Sequence, residues 1–131
     1  MKLDYAERVI ASVERNAILR IQGSYIGGIE RFSDLCIQRL DLLIKGGYAD
    51  PLDRRNQAPS TGEFRTFLAK NPRFTAHGYV VSPHRRDYRT VIRGVKLLGS
   101  ISEQETEEFV KMFRYADYSE ATADQLFCWY Q

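Results

Sequence analysis

RFTAHGYVVSPHRRDYRTVIRGVKLL, running from Arg73 to Leu98, is the stretch whose reading decides the fold. Phe74 to Val81 and Tyr88 to Val95 are rich in aromatic and β-branched residues, which suit a pleated, half-buried surface. Between them Ser82-Pro83-His84-Arg85-Arg86-Asp87 is polar and holds a proline, so the stretch reads as a β-hairpin. A tight turn centred on Arg85-Arg86 sets Phe74 opposite Leu97, Ala76 opposite Val95, Gly78 opposite Arg93 and Val80 opposite Val91. Side chains alternate along a strand, so one face would carry Phe74, Ala76, Val80, Val91, Val95 and Leu97, interrupted by Arg89 and Arg93. The other would carry His77, Tyr79, Val81, Tyr88 and Ile92, with Thr75, Thr90 and Lys96. Neither face is cleanly polar. Helices are therefore expected over one face, with partial cover on the other.

Composition sets the frame around this hairpin. A chain of 131 residues with 44% hydrophobic and 27% charged residues has the make-up of one globular domain, residues 1–131, and not of a disordered segment. It has no long apolar run, so no membrane partner is expected, and Met1-Lys2-Leu3-Asp4 leads straight into a charged, amphipathic segment, so no signal peptide is expected. Cys36 and Cys128 lie far apart among apolar residues. That suits two reduced, buried thiols and a cytoplasmic location.

Helical periodicity flanks the hairpin. Leu3, Ala6, Ile10, Val13 and Ala17 recur at three- and four-residue steps, predicting a helix over about 3–21, with a strand over 17–21 as the alternative. Ile29, Phe32, Cys36, Leu40 and Leu43 fall on one stripe and predict a second helix over about 29–45. These two helices are expected to pack on each other or on the sheet, with a helical dimer built from their stripes as the rival. Residues 46–60 have two prolines and no periodicity, and read as a loop. Ser60 with Glu63 and Ser102 with Glu105 match capping boxes, opening a short helix over 62–70 and a C-terminal helix over 102–116. The apolar tail, 125–130, is expected to pair with the hairpin as a last strand. The alternative is the end of a short helix from Ser119. The fold class is thus α+β, a small antiparallel sheet packed by helices.

Charge is distributed unevenly. Residues 54–96 carry ten basic and two acidic side chains, whereas residues 97–131 carry two basic and seven acidic ones. Either the two regions neutralise each other or a basic surface is left for an anionic partner. Arg54, Arg55, Arg85, Arg86, Arg89 and Arg93, with Tyr79 and Tyr88 among them, are the candidate binding residues, because guanidinium forks match carboxylate and phosphate. His77 faces Gly94 in the expected pairing, which leaves room above the sheet for a ligand beside the imidazole.

No zinc-ligand spacing, Walker loop, dinucleotide glycine pattern or nucleophile elbow occurs, so no metal, cofactor or catalytic residue is assigned. Three readings follow. The first is a non-enzymatic binding or regulatory module whose basic hairpin meets an acidic protein or a second copy of the chain. The second is a single-stranded nucleic-acid binder using the same arginines. The third is a small-ligand protein or enzyme with His77 in a pocket.

Overall fold

The two segments either side of Pro83 pair as a hairpin at the centre of a five-stranded sheet. The structure, a computed structural model, describes residues 3–131. Its helices are Tyr5–Leu19 (α1), Ile37–Lys45 (α2), Thr61–Lys70 (α3) and Glu103–Met112 (α4). Its strands are Ile29–Leu35 (β1), Thr75–Val81 (β2), Thr90–Leu98 (β3), Tyr118–Ala121 (β4) and Gln125–Trp129 (β5). Every neighbouring pair is antiparallel, in the order β1-β2-β3-β5-β4. The α+β class expected from the sequence holds, and the tail pairs with the hairpin as β5. Among the described residues no helix is long and apolar enough to cross a membrane.

The hairpin register follows expectation for half its length. Thr75, Ala76 and His77 face Lys96, Val95 and Gly94. Arg93 is then an extra residue on β3, so Gly78 faces Ile92 and Val80 faces Thr90. A bulge of this kind turns the following side chains over. Thr90 and Ile92 therefore point to the core face, correcting their assignment to the His77 face. Val91 moves to the side of Tyr79, which it opposes. The Thr90 hydroxyl uses its new position to donate to the Tyr48 carbonyl at 2.7 Å, tying the hairpin to the end of α2.

The single helix expected over 29–45 is corrected to a strand followed by a helix, β1 and α2. The cause is a second bulge. Phe32 and Leu35 stand three residues apart, yet both are buried in the core. Asp34 adopts a left-handed backbone with φ 58°, and the register shifts between Phe32 and Leu35. The inserted residue brings two side chains of helical spacing onto one face of a strand.

The core lies between the sheet and α2, α3 and α4. Ile37, Leu40 and Leu43 come from α2, Phe64, Phe67 and Leu68 from α3, and Phe109 from α4, with Phe113 just beyond it. Phe67 meets Phe74 edge-on at 4.9 Å and Phe113 at 4.8 Å, linking α3 to the sheet and to the end of α4. Both expected capping boxes form: Ser60 and Glu63 exchange bonds of 3.1 and 2.9 Å, and Ser102 and Glu105 do the same. Asp4 and Glu7 make a third, at the start of α1.

α1 reverses the orientation its periodicity suggests. Its buried residues are Ser12, Arg15 and Leu19, while Ile10 and Val13 are 74% and 70% exposed. Arg15 is wholly buried. It donates to the Val81 carbonyl (3.1 Å), the Tyr25 hydroxyl (2.8 Å) and Asn16 Oδ1 (3.1 Å), and its guanidinium lies 4.5 Å from the Tyr88 ring centre. Arg8 Nε donates to the Pro83 carbonyl at 2.9 Å. The helix is thus held on the hairpin turn largely by directional polar contacts.

Gly94 sits where no side chain fits. A Cβ there would stand 1.9 Å from the Cys128 carbonyl oxygen and 2.6 Å from His77 Nε2. Gly94→Ala is expected to lower stability by about 1–3 kcal/mol or more, since backbone must shift to relieve the overlap. The urea unfolding midpoint checks it, and an unchanged midpoint would contradict the close approach of β5 to Gly94.

Candidate functional site

The face of the sheet opposite the helices is where chemistry-bearing side chains gather. Its centre is His77, which reaches across the bare position of Gly94 to β5. Nε2 lies 2.8 Å from the Cys128 carbonyl. A carbonyl only accepts, so Nε2 carries the proton and donates. The imidazole lies nearly parallel to Phe127 (4.8 Å, 14°) and to Trp129 (5.6 Å, 12°), forming a run of three stacked rings on one face. Burial pushes the His77 pKa down, the Cys128 carbonyl opposes this, and Lys96 adds to the lowering. The ring is therefore neutral at pH 7.

An open cavity of about 880 Å³ lies beside this stack, bounded by Leu19–Ile21 at the end of α1, by Arg31 and Asp34 of β1, and by Arg39 of α2. A second hollow of about 300 Å³ shares Arg31, Trp129 and Gln131 with it and extends past Tyr79 to Arg85, Arg89 and Arg93. Together they form a groove across the sheet. Among the described residues, seven cationic side chains line it, Arg20, Arg31, Arg39, Arg85, Arg89, Arg93 and Lys96, against one side-chain carboxylate, Asp34.

Internal pairing removes only part of that charge. Lys96 meets Asp34 at 3.0 Å, and this bond holds the Asp34 carboxyl below its ordinary value. Asp87 is shared by Arg85 at 2.7 Å and Arg89 at 3.0 Å. Among the described residues, Arg20, Arg31, Arg39 and Arg93 have no carboxylate partner. Arg31 lies over Trp129 at 5.3 Å and Arg93 over Tyr79 at 5.1 Å, so both guanidiniums interleave with rings. Arg93 also donates to the Tyr130 carbonyl at 2.8 Å, which anchors it. Burial alone would raise the Tyr79 hydroxyl pKa, but Arg93 and Arg89 bring it below its ordinary value. The local field is thus positive.

The sequence-derived candidates divide into two sets. His77, Tyr79, Arg85, Arg89 and Arg93 line the groove. The other four do not. Arg54 pairs with Glu63, and Arg55 lines a separate hollow with Tyr115 and Tyr130. Arg86 lines another hollow with Tyr48, Asp50 and Asp53. Tyr88 lies under the Arg15 guanidinium, and burial raises its hydroxyl pKa. The acidic C-terminal region neutralises little of the basic segment: among the described residues, Arg73 with Glu105 is the ion pair joining them. Arg20, Arg31, Arg39, Phe127 and Trp129 were not among the candidates. Arg31 was hidden by the helical reading of β1, and the two aromatics by the apolar look of the tail.

Among the described residues no cluster of three or more His, Cys, Asp or Glu side chains could hold a metal ion. Cys128 is buried and its thiol is pushed up to about 12, while Cys36 is half-buried. Comparison with family models, curated proteins and solved structures gives no match in any of the three.

His77 is expected to titrate below the ordinary value of 6.5 and to show the Nε2-protonated tautomer, both read by heteronuclear NMR. The unfolded chain takes up this proton more readily than the folded one. The stability His77 contributes is therefore complete above about pH 6.5 and is lost as the pH falls through the folded value. Titration at or above 6.5 would contradict the buried, stacked placement.

Proposed function

We propose that the protein is a binding module whose open sheet face takes single-stranded nucleic acid. One observation carries this reading: four guanidiniums without carboxylate partners border a groove floored by Tyr79, Phe127 and Trp129. Phosphates meet the cations, and bases stack on the rings. The groove is open and crosses several strands, which suits an extended polymer better than an enclosed small ligand. An acidic protein would meet the same cations but leave the interleaved rings unused. His77 favours no acid–base role, because its proton is committed to the Cys128 carbonyl.

Fluorescence anisotropy with a labelled single-stranded oligonucleotide of about twelve residues tests the proposal. Affinity is expected to fall steeply with salt, with a log–log slope of about −3 to −5 for four to seven phosphate contacts. Arg31→Ala removes an exposed cation and is expected to flatten the slope by about 0.7. Trp129→Leu is expected to weaken binding about 5- to 150-fold at fixed salt, the range of one lost base stack. Absence of binding at low salt, or binding indifferent to both substitutions, would overturn the reading.

A further inference from the structure

The outward face of α1 is a second surface, distinct from the groove. Ala6, Ile10, Val13 and Ala17 are exposed along it, with Leu3 and Val9 each 37% exposed beside them. Their steps of four, three and four residues are those of a coiled-coil seam, a pattern that buries itself against another helix. The inward side of the same helix holds Ser12 and the buried Arg15, so the seam is not used within the chain.

We infer that this seam pairs with the same seam of a second copy of the chain, the two helices running antiparallel about a two-fold axis. The seam reads alike from both ends: small, β-branched, β-branched, small. An antiparallel copy sets Ile10 against Val13 of the second copy and Ala6 against its Ala17, so bulk meets bulk and the helix ends approach closely. A closed two-fold contact of this kind is the commonest in soluble oligomers. Glu7 and Glu14 flank the seam, and their negative charge disfavours an anionic membrane or nucleic acid as the occupant. Pairing two fifteen-residue helices buries on the order of 1,000 Å² in total, at the lower end of specific interfaces, so the dimer is weak.

The antiparallel arrangement brings Glu7 of one copy towards Glu14 of the other. Salt screens that repulsion, so this dimer tightens as ionic strength rises, the reverse of the salt response expected of the groove.

Sedimentation equilibrium over about 5–500 µM is expected to follow a rise from one chain's mass to two, with a midpoint on the order of 100 µM that falls as salt is raised. Ile10→Glu with Val13→Glu is expected to hold the protein at one chain's mass throughout. Its unfolding temperature should be unchanged, because both sites are exposed. If that double variant melts lower, Val13→Ser alone is expected to weaken association at least about 5-fold. A wild-type protein monomeric at every concentration and salt would overturn the inference. So would a dimer indifferent to these substitutions, assembly beyond two chains, or a monomer that instead floats with phosphatidylcholine vesicles.

Discussion

Everything on the open face depends on the missing side chain at Gly94. Because that position is bare, His77 crosses one strand and bonds the backbone of the next but one, so a single imidazole ties β2 to β5 over β3. The same crossing places the ring beside Phe127 and Trp129, which gives the sheet a rigid aromatic floor. A neutral ring is needed for this: an imidazolium stripped of water in that position has no carboxylate partner to offset its desolvation. Scaffold and site are therefore one arrangement.

The fold was legible wherever pattern and local chemistry agreed. The hairpin, the capping boxes at Ser60 and Ser102, and the terminal strand each rest on several residues that point the same way. It was illegible at two bulges. Asp34 changes the strand period from two to three, which imitates a helix in sequence. Arg93 inserts one residue and inverts the faces beyond it, which no alternation rule foresees. Both are backbone events whose benefit lies in tertiary packing.

The site was half legible for the same reason. Arginine density marked residues 85–93, and three of those arginines do line the groove. Density along the chain is a poor guide to density in space, however. Arg86 is a neighbour of Arg85 in sequence but lines a different hollow. Arg31 and Arg39 reach the groove because β1 pairs beside β2 and α2 follows it. Aspartates resolve the remaining ambiguity, since Asp87 and Asp34 tie down three of the groove's cations and leave the others without a carboxylate partner.

Arg15 gives α1 a property that an ordinary amphipathic helix lacks. A helix seated on methyl groups can roll by a fraction of a turn with little change in energy, because apolar contact has no preferred direction. A planar fork bonded to a carbonyl and a hydroxyl, and stacked on a phenol, tolerates no such rolling. The azimuth of α1 is therefore locked, and whatever its solvent-facing side meets, it meets at one fixed angle.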